Sequence, residues 1–304
     1  MLAGANVKAL VRYTSRGSWG HLDQVVPQAR DSMEVVLGDV RDSEQMRAQT
    51  NGSDVIFHLA ALIGIPYSYQ APQSYLETNI RGTMNILDAA RSSGKRLVVT
   101  STSEVYGTAV YTPIDEAHPL QGQSPYSASK ISADKLAESY HRSFGLNVVT
   151  VRPFNTYGPR QSARAVIPTI ISQLLSGSDS LKLGSLDPVR DLTYVSDTVR
   201  GFLLAGLAEK AAGQVINLGN GQGISVGDLA GLIMDATDRH VPIQCEGNRA
   251  RPPASEVQLL IAKTDRAHEL LGWKPQVSLN EGISKVVEYI SRNLSSYRAD
   301  SYAL

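Results

Sequence analysis

The sequence predicts an α/β fold: a doubly wound parallel sheet joined to a smaller α/β unit. Three observations predict it. Short β-branched runs recur at Glu34–Leu37, Asp54–Leu59, Lys95–Thr100 and Asn147–Val151. Long helical stretches, Ser74–Ser93 and Pro125–Phe144, separate the later runs. In the second stretch Ala133, Leu136, Ala137, Tyr140 and Phe144 fall at i, i+3, i+4, i+7 and i+11, which draws one apolar stripe. The runs themselves are apolar without alternation, as strands are when helices cover both faces of a parallel sheet.

Taken in order, Leu2–Ala5 reads as the tail of a helix running into a first strand, Val7–Tyr13. Lys8, Arg12, Arg16 and Arg30 against the single acid Asp23 imitate a transit peptide, but the strand pattern outweighs that reading. The sheet-building unit extends to about residue 155. Beyond it, helical patterns at Val166–Ser176, Ser196–Ala208, Ser225–Thr237 and Asn280–Asn293 alternate with Gly- and Pro-containing loops. Asn248–Ala254 is a rigid basic turn. Residues 156–304 are therefore expected to form mainly a cap, with some segments returning to the first unit.

Composition narrows the function. Lys+Arg and Asp+Glu both number 29 in 304 residues, so no net field gathers nucleic acid or an anionic membrane. No apolar run approaches the length of a membrane span. Cys245 is the sole cysteine, and the six histidines are scattered, so neither an internal disulfide nor a metal site is expected. A reducing, cytoplasmic setting suits such a chain.

Chemistry concentrates in two segments. Tyr126-Ser-Ala-Ser-Lys130 opens the amphipathic helix, and residues at i and i+4 share a helix face. An ammonium beside a phenol favours phenolate, so Lys130 is expected to lower the Tyr126 pKa toward neutrality. Alone, that spacing is a weak signal. Upstream, Thr100-Ser-Thr-Ser-Glu-Val-Tyr-Gly107 follows a strand directly. The carboxyl end of a parallel strand is where open α/β sheets place ligands. Thr102 can hydrogen-bond a hydroxyl there, and Glu104 can take a proton from carbon. Together the segments place Thr, Glu, Tyr and Lys around one crevice.

These segments, with Leu10–Gly20, Phe57–Ala61, Arg152–Arg164, Arg190–Val195 and Leu271–Pro275, carry a resemblance over nearly the whole chain. The chain resembles the extended short-chain dehydrogenase/reductases of the nucleotide-sugar 4,6-dehydratase group. The most similar subgroup is the N-acetylhexosamine nucleotide dehydratases of nonulosonic (legionaminic-type) acid pathways. The resemblance implies a Rossmann-like dinucleotide-binding domain over residues 1–155 and a substrate-binding cap. It also implies NAD or NADP, tightly bound and regenerated in each turnover, because hydride taken from the sugar C4 is returned at C6. Tyr126, helped by Thr102, would deprotonate the 4-hydroxyl, and Glu104 would remove the C5 proton as the 6-hydroxyl leaves. Some relatives carry an Asp where this chain has Ser103, so Glu104 or a water would cover both proton steps.

Binding residues are implied likewise. Asp39 and Val40 would meet the adenine, and Leu59, Ala60, Ala61 and Pro153, with Tyr126 and Lys130, the rest of the cofactor. Arg12 and Ser15 stand at the strand tip that usually carries an acid for the ribose of NAD, and they also suit a 2′-phosphate. Asn155 and Arg160 would touch the sugar, while Arg190 and Arg251 would clamp the diphosphate with planar, bidentate guanidinium groups. The substrate implied first is UDP-N-acetylglucosamine, then its GDP counterpart. A homodimer through helices 74–93 and 125–144 is implied too. A 4-epimerase shares Tyr126 and Lys130 but usually lacks an acid at the place of Glu104. A UDP-glucuronate decarboxylase needs cationic recognition of a carboxylate, whose segment is not found between Glu116 and Pro125.

One part of the family pattern is not seen. Gly4–Tyr13 is expected to follow a strand, a Gly-x-x-Gly-x-x-Gly loop and a helix, none of which stands in the sequence. That strand would be central in the sheet, so its two neighbours are expected to lack hydrogen-bond partners. The readings this leaves are a shortened form of a normal enzyme, expected to bind cofactor weakly, and a non-catalytic remnant that dimerises.

Overall fold

The computed structural model describes residues 4–249 and 252–297. Its first half runs β1 (Val7–Val11), α1 (Pro27–Asp31), β2 (Met33–Leu37), α2 (Ser43–Thr50) and β3 (Val55–His58). It continues with α3 (Ile65–Gln70), α4 (Pro72–Tyr75), α5 (Gly82–Ser93), β4 (Arg96–Thr100), α6 (Pro125–Phe144) and β5 (Val148–Pro153). The second half holds β6 (Asn155–Tyr157), α7 (Val166–Leu175), β7 (Leu181–Leu183), β8 (Val189–Tyr194), α8 (Val195–Leu207) and β9 (Val215–Leu218). Then come β10 (Gly223–Ser225), α9 (Val226–Thr237), β11 (Ile243–Cys245), β12 (Leu259–Leu260), α10 (Asp265–Leu271) and α11 (Leu279–Arg292).

The main sheet is parallel, in the order β3-β4-β5-β9. Its centre is closed on both faces: Leu97, Val98, Val99, Val149 and Val151 are fully buried. Helices α5 and α6 cover one face through Ile86, Leu87, Ala90 and Ala137, and α8 and α10 cover the other through Phe202, Ala205 and Ala267. The return strand β9 carries residues of the second half into this sheet beside β5. Strands β1 and β2 form a separate parallel pair. Among the described residues no strand joins β1 to β3. Phe57 and Leu37 are accordingly half exposed, unlike their counterparts in β4 and β5.

The second half builds its own core of Ile167, Ile170, Leu174, Leu229, Ile233, Ile283 and Val286, between α7, α9 and α11. Beside it, β8 pairs with β6, β10 and β12, and β7 pairs with β11. Among the described residues no helix is long and apolar enough to cross a membrane.

The helices that frame the crevice start and stop where local chemistry dictates. Ser124 caps α6: its Oγ accepts from the Ser127 N–H, and Ser127 returns the bond to the Ser124 N–H. Pro125 supplies the first helical φ, and Gly145 ends the helix in the left-handed region at φ 65°. Tyr126 is thereby fixed in the first turn. The expected helix over 74–93 is not continuous: Leu76–Arg81 take wider π turns before α5. In that widened stretch Asn79 is buried and binds the Leu62 backbone at both N–H and C=O, as well as Ser129 Oγ. It ties the loop after β3 to α6, a contact that an apolar-periodicity reading does not register.

Candidate active site

Strand β4 delivers the chemistry. It ends at Thr100, and the chain turns through Ser101 and Thr102 into a 3-10 turn, Ser103–Tyr106. Thr102 is extended and caps that turn, its Oγ1 accepting from the Glu104 N–H at 3.2 Å. Ser103 and Glu104 are buried within the turn. Tyr126 faces it from α6, buried, with its ring edge-on to Tyr75 at 6.2 Å. Thr102 is in hydrogen-bonding reach of the Tyr126 phenol, and the charge of Glu104 acts on it. Three residues named from two separate segments therefore meet.

The electrostatics correct one expectation. The Tyr126 pKa is raised rather than lowered, chiefly by burial, with the nearby Glu104 charge adding to it and Thr102 opposing. Lys130 does lie on the same face of α6, but its Nζ donates to the Thr100 carbonyl. Burial pulls the Lys130 pKa down to about 8, with the Asp134 carboxylate opposing the shift. The i, i+4 spacing set the shared face; the long stem of the lysine decided where its charge went. Behind them His58 is buried with Nε2 3.0 Å from Thr83 Oγ1. Desolvation and then the Lys130 charge push its pKa to about 3, so its imidazole is neutral.

The residues named for a nicotinamide cofactor spread along the carboxyl ends of the strands. Leu59 and Ala60 are exposed and Ala61 half-buried just after β3, and Pro153 closes β5. Arg12 and Ser15 are exposed beyond β1. Asp39 follows β2, and the Arg41 guanidinium grips its carboxylate at 2.9 and 2.6 Å, holding its pKa near about 2. Val40 is buried. Its side chain packs into the helical core and touches Gly82, leaving no room there for a Cβ, and its carbonyl accepts from Asn85. Only its backbone remains for a ligand. Two buried side-chain oxygens, Thr100 Oγ1 at the end of β4 and Asn155 Oδ1 at the start of β6, have no hydrogen-bond partner. Exposed Leu59 and Ile63 add apolar surface. A ring with apolar faces and a carboxamide suits such a lining, so these residues fit a nicotinamide.

The substrate candidates divide. Asn155 opens β6 with its orphaned oxygen. Arg190 in β8 is nearly buried, and its Nη2 donates to Glu256 Oε1 at 3.0 Å. Arg160 is exposed at φ 68°, and its Nε donates to Gln24 Oε1 at 3.1 Å. Arg251 lies outside the described residues. Sequence reasoning missed Tyr75, Asn79, Glu256 and the buried ion pair of Asp134 with Arg152. The pair did leave a signal: Arg152 is the one charge in the strand Val-Val-Thr-Val-Arg-Pro, and Asp134 stands one helical turn beyond Lys130.

The sequence matches the family described as GDP-mannose 4,6 dehydratase over residues 1–286. It is 32% identical to a dTDP-glucose 4,6-dehydratase of Actinoplanes sp., over 92% of this chain and 87% of the relative. It is 31% identical to a putative UDP-glucose 4-epimerase of Methanocaldococcus jannaschii, over 90% and 88%. Among solved structures, a dTDP-glucose 4,6-dehydratase from Streptomyces venezuelae with NAD bound superposes with a TM-score of 0.84 at 30% identity, covering 97% of this chain and 90% of that one. A UDP-glucose 4-epimerase from Thermotoga maritima, with UDP-glucose, gives 0.85 at 28% identity, covering 96% and 93%. With the Thr102, Glu104, Tyr126 and Lys130 arrangement on this sheet, the matches place the chain in the nucleotide-sugar dehydratase and epimerase family of extended short-chain dehydrogenase/reductases.

Proposed function

We propose that the chain is a nicotinamide-dependent nucleotide-sugar 4,6-dehydratase, and that it acts on an NDP-N-acetylhexosamine, UDP-N-acetylglucosamine first and the GDP counterpart second. One observation carries this choice within the family: a buried carboxylate, Glu104, stands in the turn that faces the Tyr126 phenol. Epimerisation at C4 needs the phenol and Thr102 but leaves Glu104 without a task. Elimination needs a base at C5 as well as one at the 4-hydroxyl, which this pair supplies.

In this reading Thr102 orients the 4-hydroxyl and Tyr126 takes its proton. Burial raises the phenol pKa, so Tyr126 must first lose its own proton to solvent before it can accept that of the 4-hydroxyl. Lys130, fixed on the Thr100 carbonyl, brings positive charge beside that proton transfer. Glu104 removes the C5 proton and, with Ser103 in place of a second acid, also delivers the proton to the departing 6-hydroxyl. Bound nicotinamide supplies the acceptor for hydride at C4 and the donor at C6. Leu59, Ala60, Ala61 and Pro153 would line its ring, with Arg12, Ser15 and Asp39 at the adenosine end. The bound NAD of the Streptomyces relative supports NAD over NADP. Residues 156–304 act mainly as the substrate cap, with Arg190 meeting the diphosphate and Asn155, just before them, the sugar. Two copies pair through residues 74–93 and 125–144, which leave Leu76, Met84 and Phe144 exposed.

Incubation with UDP-N-acetylglucosamine and NAD or NADP, followed by mass spectrometry, tests the reading. Loss of one water from the sugar, absent in Glu104→Gln, is the expected result. A product of unchanged mass with inverted C4 would make the chain an epimerase instead.

A further inference from the structure

We propose that Asp134 and Arg152 are positioning residues that lock the turn bearing Thr102 and Glu104 onto the helix bearing Tyr126 and Lys130. The geometry is continuous. Asp134 sits four residues after Lys130 on α6, and the two grip consecutive residues at the end of β4. Lys130 Nζ donates to the Thr100 carbonyl, and Ser101 Oγ donates to Asp134 Oδ2 at 2.8 Å. Arg152, from β5, then bridges the two catalytic segments. Its Nε and Nη2 reach Asp134 Oδ2, each at 2.9 Å, and its Nη1 donates to the Tyr106 hydroxyl at 2.9 Å. Tyr106 closes the same 3-10 turn that carries Glu104, and its ring lies 4.9 Å from the guanidinium carbon.

The far side of the turn is anchored as well. The Tyr106 hydroxyl donates to Asn217 Oδ1 at 2.6 Å. Asn217 in β9 donates its Nδ2 to the Ile114 carbonyl and its N–H to Glu116 Oε1. Tyr106 and Asn217 are fully buried, and Arg152 and Asp134 are 3% and 4% exposed. A planar guanidinium can hold a carboxylate and a hydroxyl in one fixed geometry, which an ammonium cannot. Because the groups are buried, losing a further partner is costly, which favours one arrangement of the turn; all three bonds fall on Asp134 Oδ2, and Oδ1 has no partner. The Asp134 carboxylate also opposes the loss of charge that burial imposes on Lys130. The Asp134 charge also reaches the Tyr126 phenol, where it adds to the rise in pKa.

The kinetic part of this inference rests on the dehydratase reading; the structural part does not. The test compares Tyr106→Phe, which keeps the ring and removes one hydroxyl, with Asp134→Asn and Asp134→Glu. Hydrogen-exchange mass spectrometry should show residues 100–107 exchanging at least about tenfold faster in Tyr106→Phe and Asp134→Asn, with α7, α9 and α11 unchanged. In turnover assays kcat should fall at least about tenfold with KM within about threefold, because misplacement costs rate more than binding, and Asp134→Glu should recover most of the loss. Unchanged exchange across 100–107 in both variants, or faster exchange throughout the chain, would overturn the proposal. If the unmodified protein dehydrates no nucleotide sugar while the exchange pattern appears as described, the activity reading fails and the positioning role stands.

Discussion

Burial sets the character of individual residues in this site. Tyr126 is enclosed by Ile65, Tyr75 and Leu62, so its anion is disfavoured until something polar arrives beside it. Tyr126→Phe should therefore fold normally, with kcat lower by roughly 10²–10⁴, the usual share of a positioned acid–base group. Steady-state kinetics alongside circular dichroism would show the split. His58 gives a pH test. Its folded pKa, about 3, lies below the ordinary 6.5, so below pH 6.5 the unfolded chain binds one proton more. The corresponding stability is complete above pH 6.5 and is lost as pH falls toward 3. By pH 5 the loss is ~2 kcal/mol, from one and a half units at about 1.4 kcal/mol each. Urea titrations at pH 7 and pH 5 should show a drop smaller by that amount in His58→Gln, which keeps a polar partner for Thr83.

At the scale of elements, the start of α6 is the decisive construction. The reciprocal bonds of Ser124 and Ser127, with Pro125 between them, fix the helix entry one residue before Tyr126. Ser124→Ala should cost about 1 kcal/mol of stability, read from the urea midpoint, because an N–H of the first turn loses its acceptor. A neutral result would mean that Pro125 and the tertiary contacts hold the entry by themselves. The face of α8 toward β9 shows the same dependence on local fit. A Cβ on Gly201 would lie 2.4 Å from Leu218 Cδ1 and 3.1 Å from Trp273 Nε1. Overpacking of that kind costs typically about 1–3 kcal/mol, more than the ~1 kcal/mol that alanine adds to a helix. Gly201→Ala should lower the thermal midpoint.

At the scale of the whole molecule, the sheet is divided. β4 and β5 have partners on both sides, whereas β1 pairs only with β2, and β3 only with β4, among the described residues. Amides of β4 and β5 should exchange with solvent most slowly, and those of β1 and β3 well before them, because a strand with one free edge opens at lower cost. Equal protection across all four would show that the free edges are covered in solution. The return of β9 gives the main sheet its fourth strand and closes β5, so the second half of the chain stabilises the crevice that the first half lines.

By itself the sequence determined the local elements and the chemistry they carry. Apolar runs and the helical stripe marked β2 to β5 and α6 within a few residues, since burial on both faces demands unbroken hydrophobicity. The Thr102–Glu104 and Tyr126–Lys130 segments were legible because their spacing is short enough for local geometry to fix it. Helix α5 was legible only in part, because the π turns before it answer to the contacts of Asn79 with Leu62 and Ser129, which periodicity does not encode. Tertiary structure alone decided the rest. It turned Lys130 toward Thr100, raised the Tyr126 pKa by burial, sent Val40 into the core and turned Arg160 to Gln24. It also joined Asp134, Arg152, Tyr106 and Asn217, which stand far apart in the chain, into one buried network. The physical reason is common to all of these: desolvation and hydrogen-bond partners belong to the packed interior, and a linear chain has neither until its distant segments meet.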